Sequence, residues 1–137
     1  MLRTDATAVD LPDRQGVTPL ACAAAKGHEA TVQRLLSAGA SVNSLANNGD
    51  TPLMLAATGG HTAVVRRLIA AAADPNTQNS HGDTALILAS QSGNVETVNT
   101  LLEAGASRKL RNRDGIAASD AAEAHGHAGV VAAINRD

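Results

Sequence analysis

A strict internal period of 33 residues constrains this chain more than any other feature of its sequence. Four glycines mark the period: Gly16, Gly49, Gly82 and Gly115. A repeat of this length indicates a solenoid, in which each unit packs on its neighbours instead of surrounding one central core. The register divides the chain into a partial segment, residues 1–12, and four units, residues 13–45, 46–78, 79–111 and a shorter 112–137.

The first unit predicts two helices followed by a hairpin. Thr18-Pro19 starts a helix, because a threonine hydroxyl caps free backbone N–H groups and proline at the first helical position loses no hydrogen bond. Gly27-His28 interrupts this helix, and a second one runs from about residue 29 to residue 38, where Gly39 ends it. The polar segment that ends in Asn48-Gly49 has the composition of a tight hairpin turn.

The composition favours thin, closely stacked helices. Aromatic residues are absent while hydrophobic residues make up 44% of the chain, so packing must come from aliphatic side chains and from alanine, the best helix former. The net charge of −2 and the lack of aromatic side chains argue against a nucleic-acid partner. No apolar run reaches membrane-spanning length, so we expect a cytoplasmic or nuclear protein without a membrane partner. We also expect a monomer.

Three motifs recur through the units. The first unit contains Thr18-Pro19-Leu20-Ala21-Cys22-Ala23-Ala24, Gly27-His28 and Gly39-Ala40-Ser41-Val42-Asn43, and the second contains Thr51-Pro52-Leu53-Met54-Leu55-Ala56-Ala57, Gly60-His61 and Asp74-Pro75-Asn76. The third keeps Thr84-Ala85-Leu86-Ile87-Leu88-Ala89, and the fourth keeps Asp114-Gly115 and Gly126-His127. The chain therefore resembles the ankyrin repeat family. The resemblance implies an all-α solenoid of stacked helix-turn-helix units joined by β-hairpin-like loops.

The chain departs from the ankyrin pattern at both ends and in one motif. The histidine expected after Thr-Pro-Leu is replaced in every unit, by Ala21, Met54, Ile87 and Asp120. The last unit has Ala117-Ala118-Ser119 in place of Thr-Pro-Leu and Asn135 in place of a leucine, which is typical of a solvent-facing cap. Residues 1–12 align with the end of a unit whose helices are missing, so they are either an improvised cap or part of a longer array.

The histidines and the single cysteine predict neither a metal site nor a catalytic site. The resemblance implies that three histidines bond to the backbone of neighbouring units: His28, His61 and His127. His81 is expected at a hairpin tip, as a contact residue. Cys22 aligns with Leu55 and Leu88 and is expected to be buried as a small hydrophobic side chain. No nucleotide-binding or nucleophile motif occurs, so we expect no cofactor and no enzymatic activity.

The strongest charge cluster is a basic run of four side chains, Arg108, Lys109, Arg111 and Arg113. One interpretation is a solvated turn. The other is a site for an acidic partner segment, because arginine pairs with carboxylates through two parallel hydrogen bonds.

Recognition of another protein is the predicted function, because the repeat provides a scaffold and no chemical group recurs in a catalytic arrangement. The ankyrin resemblance implies that the partner binds the concave face formed by the hairpin tips and the first helices. The alternative is a structural segment of a longer array without its own partner. Carried over by register, the predicted contact residues are Arg14, Gln15, Val17, Lys26, Asn47, Asn48, Asp50, Thr58, Ser80, His81, Asp83, Gln91, Ser92, Arg111, Arg113 and His125.

Ala72 occupies an unusual position in the register. It aligns with Gly39 and Gly105, the residues that end the second helices of the first and third units. Alanine there either adopts the left-handed conformation at a cost of about 1 kcal/mol, or the run 70–73 extends the helix until Asp74-Pro75 ends it. We expect the left-handed conformation, because the fixed period leaves little room for an additional half turn.

Overall fold

The structure is a row of helix pairs. A computed structural model describes residues 9–136, and within that range the chain forms helices and turns without a strand. The predicted all-α fold is therefore confirmed. The helices are α1 (Pro19–Lys26), α2 (Glu29–Ser37), α3 (Pro52–Thr58), α4 (Thr62–Ala70), α5 (Ala85–Ser92), α6 (Val95–Glu103), α7 (Ala118–Ala124) and α8 (Ala128–Asn135).

The helices form two layers. The first helices of successive pairs pack on one another, α1 on α3, α3 on α5 and α5 on α7. The second helices do the same, from α2 through α4 and α6 to α8. Each pair thus contacts its neighbours in the row, as expected of a solenoid.

Threonine caps begin the first helices, as the sequence predicts. The hydroxyl oxygens of Thr18, Thr51 and Thr84 accept hydrogen bonds from the backbone N–H three residues later, at 3.2, 3.1 and 3.2 Å. Such a cap contributes about 1 kcal/mol to stability. In the fourth pair Ala117 has no hydroxyl, and its own backbone N–H donates to the carboxylate of Asp120 at 2.9 Å.

The core is a continuous strip that weakens at both ends. Leu68 and Leu101 of the second helices are fully buried, whereas Leu35 at the same register position is only partly buried. Residues 9–136 contain no complete pair before α1 to cover Leu35. At the other end Asp120 and Glu123 are exposed at positions where earlier pairs bury a side chain. The last pair therefore presents the polar outer face predicted for a cap.

The segment before the first turn continues the periodic pattern. Of the predicted partial segment, residues 1–8 lie outside the described residues. The carboxylate of Asp10 accepts a hydrogen bond from the backbone N–H of Ser41 at 2.8 Å. The same bond recurs 33 residues later between Asn43 and Asp74, and again at Asn76. Asp10 thus stands at the register position of Asn43 and Asn76.

The left-handed conformation predicted for Ala72 is confirmed. Helix α4 ends at Ala70, and Ala72 has φ of 75°, the single positive φ among non-glycine residues in the described range. Gly39 and Gly105 have φ of 91° and 95° at the same register position. The alternative, in which the helix continues to Asp74-Pro75, is wrong.

Replacing Ala72 by glycine is expected to stabilise the protein by about 1 kcal/mol, because glycine has no Cβ to crowd the backbone at positive φ. Ala63, which is exposed within α4, provides the control, since Ala63→Gly is expected to cost about 0.5–1 kcal/mol. Urea denaturation of both variants measures the difference. A loss of stability in Ala72→Gly would contradict the expectation.

Candidate functional site

Four turns form the tips of the units. They span residues 13–17, 46–50, 79–83 and 112–116. In each turn the first N–H donates to the fifth carbonyl and the fourth N–H donates to the first carbonyl, at 2.8–3.0 Å. These are the hairpin-like loops that the sequence predicts. We refer to the side chains of these four turns as the tip surface.

Backbone hydrogen bonds join the tips into one row. The N–H of Asn47 donates to the carbonyl of Gln15 at 2.8 Å. The bond repeats between Ser80 and Asn48, and between Arg113 and His81, at 2.9 Å each. Because each tip is tied to the one before it, the backbone of the row is held in place while the side chains differ from tip to tip.

Two of the predicted contact residues hold neighbouring tips together. One carboxylate oxygen of Asp50 accepts from the amide of Asn79 at 2.9 Å, and Asp83 accepts from Asn112 at the same distance. We call each of these pairs a tip clasp. Both aspartates are partly buried, so their first role is structural.

The exposed members of the tip surface carry different chemistry in each unit. Arg14 and Gln15 are exposed in the first tip, Asn47 and Asn48 in the second, Ser80 and His81 in the third, and Arg113 in the fourth. Asn47 also donates its side-chain amide to the carbonyl of Arg14 at 3.0 Å. Each end tip exposes an arginine next to an aspartate, Asp13 with Arg14 and Asp114 with Arg113. The two middle tips expose asparagine, serine and histidine side chains.

The ends of the first helices form a second row. Lys26, Thr58 and Ser92 are exposed there, and Gln91 is partly exposed. The hydroxyl of Ser92 donates to the carbonyl of Thr58 at 2.9 Å, which links two successive ends. Each first helix has seven or eight residues, so this row lies about 10–12 Å from the tips along the helix axes. The predicted set thus divides into two parallel rows.

His125 lies beyond the end of a helix. The sequence places it on the first helix of the last unit, but α7 ends at Ala124 and His125 follows as its exposed cap. Its Nδ1 lies 2.9 Å from the carbonyl of Ala121. Its ring stacks on that of His127, with centroids 6.1 Å apart. His125 therefore stands at the far end of the second row.

Two of the three histidines that follow a glycine join successive units, as the family resemblance implies. The Nε2 atom of His61 lies 3.1 Å from the carbonyl oxygen of Ala25. The Nε2 atom of His127 lies 3.0 Å from the backbone carbonyl oxygen of Gln91. Asn94 takes this place in the third unit and donates to Gly60 at 3.5 Å. His28 makes no such bond within residues 9–136.

The basic cluster does not act as one patch. Arg111 donates to the carbonyl of Gly115 at 2.7 Å and to the carboxylate of Asp120 at 3.1 Å. Arg108 instead lines a groove between α6 and α8. Arg113 remains exposed on the tip surface. An acidic segment could therefore contact Arg113, but Arg111 already has a carboxylate partner.

The expectation that Cys22 is buried is wrong, because its side chain is exposed. Its counterpart Leu55 lines a cleft with Val17 of the preceding tip. Within the described range no tip precedes the one at residues 13–17, so nothing equivalent covers Cys22. Burial at this position depends on the preceding unit and not on the local sequence.

Grooves between successive second helices are a feature that sequence reasoning missed. They recur at the same register at each junction, with volumes of about 240, 320 and 320 Å³. Leu36, Ile69 and Leu102 contribute to them in turn. The sequence does contain a signal for these grooves. Leu36, Ile69 and Leu102 share one register position, which is apolar in three units and holds Asn135 in the last.

Two further observations concern the chemistry of the described residues. Among residues 9–136, no three histidine, cysteine, aspartate or glutamate side chains are grouped so that they could hold a metal ion. No helix of this range is long and apolar enough to cross a membrane.

The family assignment follows from the match to a family model. The model described as "Ankyrin repeats (3 copies)" matches residues 31–114, more than half of the chain. The chain belongs to the ankyrin repeat family. Ankyrin repeats are in general protein–protein interaction modules and are typically not enzymes. The match ends before α7, so the assignment of the fourth helix pair as an ankyrin repeat stays a prediction. A comparison with curated proteins gives no match.

Proposed function

We propose that this ankyrin array binds a partner protein through the tip surface and the adjoining ends of the first helices. The observation that carries the proposal is the row of backbone bonds between tips, which fixes exposed side chains of different chemistry at a regular spacing. A fixed backbone lowers the entropic cost of binding, because fewer groups must be ordered in the complex. This surface is the one at which the family resemblance predicts that a partner binds.

The chemistry of the surface predicts modest affinity unless the partner contributes aromatic side chains. Hot spots of protein interfaces are enriched in tryptophan, tyrosine and arginine, and this chain supplies only arginine among these. Arg14 and Arg113 lie on the two outermost tips. We therefore propose a partner that offers acidic groups to these arginines and brings its own aromatic side chains. A monomeric scaffold in the cytoplasm or nucleus remains our expectation for this chain.

A structural segment of a longer array is the second candidate. The bond of Asp10 favours it, because this residue completes the pattern of a preceding unit. In that case the tip surface would bind no partner of its own. Retention of a specific protein by the immobilised chain, lost in tip variants, distinguishes the first candidate from the second.

The direct test reverses charge on the tip surface. A variant with Arg14, His81 and Arg113 replaced by glutamate is expected to bind its partner at least about tenfold more weakly, because two arginine anchors are lost. The partner is first captured from extracts of the source cells and purified, and calorimetry then compares the variants. Circular dichroism checks that helicity is unchanged.

A matched control carries the same change of formal charge on the second helices. Arg34, Ser37 and Arg66 are exposed there, and their replacement by glutamate is expected to leave the affinity within about twofold of wild type, because they lie off both rows. Equal affinity for wild type and the tip variant, with an intact spectrum, would refute the proposed surface.

A further inference from the structure

The tip clasp is missing at one junction. Asp50 binds Asn79 at the second junction and Asp83 binds Asn112 at the third. At the first junction the register positions of this pair hold Val17 and Ala46. Both members of the clasp are replaced together, so neither leaves an unpaired polar group behind.

The loss of the clasp leaves an open cleft of about 300 Å³ between the first two tips. Val17, Ala46 and Leu55 contribute its apolar part, and Gln15 and Asn48 contribute polar side chains. Val17 and Leu55 are only partly buried, so this apolar surface faces solvent. At the second and third junctions, the aspartate and asparagine of the clasp occupy the register positions of Val17 and Ala46.

The cleft contains one ionisable side chain, and it already has hydrogen-bond partners. The one ionisable residue that lines it, Asp50, has a carboxylate that accepts hydrogen bonds from Asn48 at 3.0 Å and from Asn79 at 2.9 Å. An anionic side chain entering the cleft would lose hydration beside the like charge of Asp50 without gaining a partner. An uncharged, mainly apolar side chain with one polar atom matches this lining, since the side-chain amide of Gln15 can pair with that atom.

We propose that this cleft binds one aromatic side chain, tryptophan or tyrosine, of the partner protein. The inference rests on the proposed function, and the cleft is continuous with the tip surface that carries it. An apolar cavity of about 150 Å³ already admits benzene, so the cleft has room for an aromatic ring. The ring must come from outside, because this chain contains no aromatic residue. A second copy could offer only an aliphatic side chain such as Leu11 or Leu45, both exposed.

The test restores the clasp. The double variant Val17→Asp/Ala46→Asn recreates the pair found at the other two junctions, so it is expected to fold and to fill the cleft. The double variant Ser37→Asp/Ala38→Asn, at exposed positions around the end of α2, introduces the same two side chains elsewhere. Circular dichroism and urea denaturation establish that both variants are folded.

The first readout uses N-acetyl-L-tryptophanamide as the probe, followed by methyl NMR. We expect saturable shifts at the methyl groups of Val17, Ala46 and Leu55, and no comparable shift at Leu88, whose junction has a clasp. N-acetyl-L-leucinamide, an aliphatic probe, is expected to bind several-fold more weakly. The shift at Leu55 should disappear in the clasp variant and persist in the control. No shift at Leu55, equal shifts at Leu55 and Leu88, equal binding of both probes, or an unchanged shift in the clasp variant would overturn the proposal.

The second readout separates this inference from the proposed function. The purified partner is expected to bind the clasp variant at least about tenfold more weakly than the control. If the charge-reversed tip variant loses the partner but the clasp variant keeps it, the aromatic cleft is wrong and the proposed function stands. If the cleft binds the probe but charge reversal leaves partner affinity unchanged, the proposed surface fails while the cleft remains.

Discussion

Replacing Leu101 by alanine is expected to lower the free energy of unfolding by about 2–5 kcal/mol. The side chain of Leu101 is fully buried in α6, between second helices on both sides. The substitution removes apolar contacts and leaves a cavity that the packed neighbours close only in part. Urea denaturation followed by circular dichroism measures the loss.

Leu35→Ala is the matched control, because Leu35 has the same register position in α2. Its side chain is only partly buried, so less transfer free energy and a smaller cavity are involved. We expect a loss well below that of Leu101→Ala, about 1–2 kcal/mol on the basis of the area still removed from water. Equal losses at the two positions would contradict the end effect that the structure shows.

Replacing Gly93 by alanine is expected to cost about 2–4 kcal/mol in unfolding free energy, from two sources. Its φ of 78° imposes about 1 kcal/mol on any residue with a Cβ. A Cβ at this position would also lie 2.6 Å from the ring of His127, and such overpacking adds about 1–3 kcal/mol. The His127 ring would have to leave its bond to the carbonyl of Gln91.

Gly126→Ala isolates the backbone contribution. Gly126 has nearly the same φ, 72°, but no heavy atom would lie within 4 Å of its Cβ. At Gly126 we therefore expect only the loss of about 1 kcal/mol that a Cβ imposes at positive φ. Thermal or urea denaturation of both variants gives the difference. If the two losses are the same, the ring of His127 does not pack against Gly93 as described.

Local chemistry explains what could be predicted from the sequence. The threonine caps, the breaks between paired helices and the tip turns each depend on a few adjacent residues, so their positions follow from the motifs. Ala72 belongs to this class, because the fixed period determines where α4 must end. The histidine bridges of His61 and His127 followed from the family resemblance, since the same position recurs in each unit.

The features that could not be predicted from the sequence depend on contacts between neighbouring units. Cys22 is exposed, whereas Leu55, whose local sequence matches, lines a cleft with Val17 of the preceding tip. The tip clasps were missed because Asp50 and Asn79 lie far apart in the chain and each is an ordinary polar turn residue on its own. Arg111 was grouped with its basic neighbours, yet its partner Asp120 lies in the next unit.

The division of the contact residues has consequences for recognition. Asp50 and Asp83 are committed to the clasps, so they tune the spacing of the tips more than they contact a partner. The exposed side chains of Arg14, His81 and Arg113 are not members of a clasp.

Hydrogen exchange of the chain with and without its purified partner tests the central claim most directly, because it locates the contact without altering any residue. We predict slower exchange on binding in the four turns, residues 13–17, 46–50, 79–83 and 112–116, and at the ends of the first helices. Exchange in α2, α4 and α6 should change little. Slower exchange confined to these second helices, with the turns unaffected, would contradict recognition through the tip surface.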